Sequence, residues 1–110
     1  MKFKHKMVLI GLLVAGSAQA QFRTGNQLLS DMQETTGYTK GMSMGYVMGV
    51  TDAGNGVNHC PPANATAGQI NDMVRNTLID IPEVRHVHAA SIIEYVLNKT
   101  WPCAKKGQKL

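Results

Sequence analysis

Cys60 and Cys103 are the only cysteines in the chain, and His59, His86 and His88 are its histidines outside the N-terminal segment. Sulfur and imidazole together suggest two chemistries. His86-x-His88 with His59 or Cys60 could offer nitrogen and sulfur ligands to zinc, and a Cys60–His pair could form an activated nucleophile. Both patterns are incomplete. The His-x-His pair falls in a connection between helices, and no carboxylate completes a zinc spacing. The histidines read instead as surface or helix-capping residues. Asp52 and Asp80 lie near helix ends with no second carboxylate or histidine spaced for acid–base pairing, so they read as turn and cap residues. The glycines run at helical spacing and do not form a phosphate-cradling loop. These side chains predict no catalytic residue, no metal and no cofactor, and favour a protein that binds over an enzyme.

The simplest use of two cysteines in an exported domain is one disulfide, and the N-terminus reads as an export signal. Lys2, Lys4 and Lys6 precede an apolar run from Met7 to Ala15, and Ala18-Gln19-Ala20 is a small-x-small cleavage site. The expectation is a signal peptide at 1–20, cleaved after Ala20, and a periplasmic mature chain of ninety residues from Gln21. The apolar run is too short to span a bilayer, so no stable membrane insertion is expected after cleavage. Of the eleven Lys and Arg residues three leave with the signal, so eight face seven Asp and Glu. Three of the eight are Lys105, Lys106 and Lys109, in a basic, flexible tail at 104–110. This balance gives no footprint for nucleic acid. Closing the loop between Cys60 and Cys103 would stabilise the domain by roughly 4 kcal/mol.

The elements that must hold these residues are helical. Thr24-Gly25-Asn26-Gln27 and Thr66-Ala67-Gly68-Gln69 fit the capping box, Thr followed three residues later by Gln. They predict helices over 26–35 and from Thr66 to about Ile79, the second with Ile70, Met73, Val74, Thr77 and Leu78 on one face. A helix over 89–100 carries Ala89, Ile92, Ile93, Val96 and Leu97 inward. Between them the stretch 40–53 is apolar on more than one face and predicts a central, well-buried helix. Gly37, Gly41, Gly45 and Gly49 stand at four-residue steps there. Each costs up to about 1 kcal/mol relative to alanine in a helix, so they predict close approach of another backbone, within the monomer or across a homodimer. The mature methionines fall at apolar helical positions and read as core filler. The sequons at Asn64 and Asn98 read as coincidental. The fold expected is all-α, a compact bundle of four to five short helices with one disulfide.

Several of these segments also carry a family resemblance. Gly45-Tyr46-Val47-Met48-Gly49-Val50-Thr51-Asp52-Ala53 resembles a G-Y-x-x-G-x-x-D-A signature. Cys60-Pro61-Pro62 followed by Thr66-x-x-Gln69-Ile70 is similar to a "C-P…T-x-x-Q-L" segment. Pro82-Glu83-x-Arg85-His86-x-x-Ala89-Ala90 and Trp101-Pro102-Cys103 are similar to a "P-E-x-R-H-x-x-A…W-P-C" ending. In this order they resemble the Rap1a/Tai family of immunity proteins, small helical periplasmic proteins linked to type VI secretion, over residues 22–103. Members of that family often carry a second cysteine pair early in the domain. Here Met32 and about Ser43 stand in its place.

The resemblance implies an inhibitor, often homodimeric, that occludes the active-site groove of a peptidoglycan amidase injected by a sibling cell. The polar connections are then the candidate contact surfaces. They hold Asp52, Asn55 and Asn58 before Cys60, and Asp80, Glu83, Arg85, His86 and His88 before the last helix. Fold likeness alone does not fix function. A phage- or plasmid-type periplasmic accessory protein and an acid-stress chaperone remain as alternatives.

Overall fold

Thr24 opens the first helix because its extended backbone leaves its side chain free to accept from the Gln27 N–H, while the Gln27 side chain returns to the Thr24 N–H. The computed structural model describes residues 22–104; the expected signal segment and the lysines of the expected tail lie outside them. Within them α1 spans Gly25–Met32, α2 Gly37–Gly54, α3 Ala67–Asp80 and α4 Ala89–Thr100. A 3-10 turn at Pro82–Val84 joins α3 to α4. The second predicted capping box forms at Thr66 and Gln69. Among the described residues no strand forms and no helix is long and apolar enough to cross a membrane.

Leu28, Leu29 and Met32 from α1, Val47 from α2, Ile70, Val74 and Leu78 from α3, and Ala89, Ile92, Ile93, Val96 and Leu97 from α4 form the core. Each large aliphatic side chain buried there stabilises the fold by roughly 1.5–3 kcal/mol relative to exposure. Gly25 is required by this packing. A Cβ at that position would lie 2.7 Å from Ile92 Cδ1 and 2.9 Å from the Arg85 carbonyl oxygen. Met32 is buried in the core, and Ser43 is buried with its hydroxyl donating to the Lys40 carbonyl at 2.8 Å. Both side chains are therefore packed.

The expectations for the first two helices need correction. The first helix stops at Met32, short of Thr35, because the Gln33 N–H closes the last turn on Leu29 and Ser30. The second starts at Gly37, ahead of Lys40, and continues to Gly54, so Asp52 sits in its last turn and not in a loop. Nor is it buried on all sides. Ser43, Val47, Thr51 and Gly54 face the core, while Gly37, Gly41, Gly45 and Gly49 are exposed with no atom near their missing Cβ positions. No backbone of the described chain approaches those glycines. Apolar residues all round a helix do not say which side is inside.

Candidate functional site

Cys60 and Cys103 are bonded to each other, with their Cα atoms 4.9 Å apart. The bond joins the segment just before α3 to the segment just after α4, and the Cys60 N–H donates to the Trp101 carbonyl beside it at 2.8 Å. Oxidation removes Cys60 as a nucleophile or thiolate ligand. Among the described residues no three His, Cys, Asp or Glu side chains gather as a metal-binding group.

The loop that runs into this bond, Asn55 to His59, folds back on the end of α2. The N–H groups of Val57, Asn58 and His59 donate to the Gly54 carbonyl, at 3.0, 2.8 and 3.4 Å, and the Gly56 N–H donates to the His59 carbonyl at 2.8 Å. Gly56 has φ +85°, a left-handed conformation that glycine adopts without a Cβ clash. His59 is fully buried. Its Nε2 lies 2.8 Å from the Thr51 carbonyl oxygen, so Nε2 carries the proton and donates. That carbonyl is an orphan of the helix end, because the Asn55 N–H turns to Asp52 instead. His59 thus caps α2 from outside the helix. Gly54 makes room for its ring: a Cβ there would lie 2.5 Å from His59 Cε1. Two more bonds fasten the loop to α4. The Asn58 side chain donates to Glu94 Oε1 at 3.2 Å, and the Asn98 side chain donates to the Asn58 carbonyl at 2.7 Å. What projects is Val57, 77 % exposed, between exposed Asn55 and Asn58.

The second candidate surface is ordered differently. Gly25 and Asn26 donate to the Val87 and Arg85 carbonyls at 2.9 and 2.8 Å, and Ala89 donates to the Arg23 carbonyl at 2.7 Å. Phe22 packs on the His88 ring, centroids 5.0 Å apart. Asp80, Glu83, His86 and His88 are exposed, and neither carboxylate joins an ion pair among the described residues. Arg85 is half-buried, with its Nε enclosed and without a hydrogen-bond partner. His88 occupies the position before α4 but makes no side-chain cap bond. The two surfaces are tied at different places, one to the start of α4 and the other to Glu94 and Asn98 of α4 and to Trp101 just after it.

Sequence reasoning picked Asp52, Asn55 and Asn58 but missed Val57 at the loop tip, and Glu94 and Asn98, which hold the loop. Gly54-x-Gly56 beside a histidine was the available signal for a tight reversal. The partners on α4 lie 36 and 40 residues away from Asn58 and leave no local mark.

The chain shows no significant match to any curated protein. The model of the Rap1a immunity proteins matches residues 24–103, which covers all four helices, the Asn55–His59 loop and both cysteines. By that match the chain belongs to the Rap1a immunity protein family.

Proposed function

We propose that this chain is a non-enzymatic periplasmic immunity protein that binds a peptidoglycan amidase delivered by type VI secretion and blocks its active-site groove. The family supports an effector–immunity role, and the Asn55–His59 loop supports occlusion as its means. Ordering a mobile loop on binding costs affinity, roughly 0.5–1.5 kcal/mol for each immobilised side chain. Here the loop is held in the free protein by the disulfide, the His59 cap and the bonds to Glu94 and Asn98. Exposed Val57 offers an apolar contact at its tip, with Asn55 and Asn58 beside it as polar groups. The export signal read from residues 1–20 supports the compartment.

The test is protection. Cells that export a candidate amidase encoded beside this gene are expected to survive when they also export this chain. With Val57→Asp, expressed at the same level, they are expected to lyse. Lysis with the unaltered chain would refute the immunity reading for that amidase. Full protection by Val57→Asp would keep immunity but move the contact off this loop.

A further inference from the structure

An apolar hollow of about 460 Å³ lies between the 3-10 turn and α4. Buried Ile92 and half-buried Ile81 and Val87 line it, together with Val84, 36 % exposed, and Tyr95, 57 % exposed. Glu83 is the one charged residue of its lining. Ile81 and Tyr95 also line a neighbouring hollow of about 440 Å³, which holds Thr77, Asp80 and Lys99. The two hollows therefore form one groove that passes Tyr95. The Lys99 amine lies over the Tyr95 ring, 5.6 Å from its centroid, and Asp80 and Glu83 join no ion pair among the described residues. The turn beside the groove is already ordered: the N–H groups of Val84, Arg85 and Val87 donate to the Ile81, Pro82 and Val84 carbonyls at 3.1, 3.4 and 3.1 Å.

We propose that this groove is a docking site for an extended segment of a partner protein that carries large apolar side chains beside lysine or arginine. Charge selects the occupant. Two carboxylates against one lysine leave the groove negative, which repels anionic lipid headgroups and nucleic-acid phosphates. A purely aliphatic segment would fill the hollows but leave Asp80 and Glu83 without a partner. Shape selects the backbone. Alternate side chains of an extended chain point to the same side, so residues two apart can enter the hollows on either side of Tyr95, and the lysines reach the rim. Tyr95 offers a large apolar surface with a polar tip, the kind of residue that anchors interfaces. The ordered turn spares the complex the cost of fixing one wall of the groove. Ser91 and Tyr95 lie on the same outward side of α4 as Asn98, so the groove adjoins the foot of the Asn55–His59 loop. The docking is independent of the amidase reading, since it requires only a basic, apolar segment.

The experiment titrates the mature protein, disulfide intact, with two synthetic peptides and reads amide shifts by NMR. One peptide alternates leucine with lysine over six residues, and the other alternates leucine with glutamate. The lysine peptide is expected to shift the amides of Val84, Val87, Ser91 and Tyr95 and to bind at least about tenfold tighter than the glutamate peptide, with the difference shrinking as salt is added. Tyr95→Ala, which replaces a mostly exposed side chain, should keep the helical circular dichroism and weaken the lysine peptide about tenfold. Glu83→Lys should remove most of the preference between the two peptides. Equal binding of both peptides, no shift at those four amides, or lysine-peptide binding unchanged by Tyr95→Ala would overturn the proposal. Hexylamine binding as tightly as the lysine peptide would make the groove a site for small amphiphiles and overturn the assignment to a protein segment. Peptide binding that appears only after residues 105–110 are removed would give the groove to the chain's own end, and would overturn it equally.

Discussion

Between α2 and α3 the chain is held by a covalent bond, a buried histidine and two side-chain bonds from α4. Between α3 and α4 it is held by main-chain bonds to residues 23–26. The first arrangement fixes a short loop with an apolar tip and draws on the oxidised state of the protein. The second fixes a charged connection and draws on the position of the N-terminal segment. The contrast separates a surface built to keep its shape from one that follows its neighbours.

Removing the covalent tie should have the largest effect. Replacing both Cys60 and Cys103 by alanine is expected to cost about 4 kcal/mol in urea unfolding, from loop closure over the 43-residue separation. Retention of the original midpoint would mean that the loop is fixed without the bond. His59→Ala removes a fully buried ring and the cap on Thr51, at an expected cost of about 2–3 kcal/mol. Its loosening should be confined to the first connection, as amide exchange would reveal.

Gly25→Ala attacks the second connection. The added methyl meets the Arg85 carbonyl and Ile92, and the expected cost is about 1–3 kcal/mol, with the 85–89 region disturbed and the disulfide loop unchanged. A stability equal to the parent chain would show that the N-terminal bonds do not order that region. The smallest effect belongs to Val57→Asp, which should change stability by less than about 0.5 kcal/mol, because the side chain projects into solvent. A large loss of stability there would identify Val57 as a structural residue and not as a contact.

The parts legible in the sequence are those fixed by local chemistry. Thr24 with Gln27 and Thr66 with Gln69 mark helix starts through bonds that span three residues, and α3 and α4 each show one apolar stripe. The pairing of Cys60 with Cys103 was expected from the count of two cysteines and from the export signal read in the sequence. The orientation of α2 was not legible, because Tyr46, Met48 and Val50 spread apolar surface around it and only packing decides that Val47 goes inward. Its start was hidden by Thr36 and Gly37, residues that elsewhere break helices. For the candidate site, the loop was visible as Gly, Asn and Pro. Its rigidity was not visible, since His59 reaches a carbonyl eight residues back and Asn98 comes from another helix.

Amide hydrogen exchange on the free, oxidised protein tests the central claim of a preformed loop most directly. The amides of Gly56, Asn58 and Cys60, bonded to His59, Gly54 and Trp101, are expected to exchange slowly, at least as slowly as those of Arg85 and Val87. Exchange of those three amides at the rate of an unstructured chain, while the core amides of α3 and α4 stay protected, would contradict it.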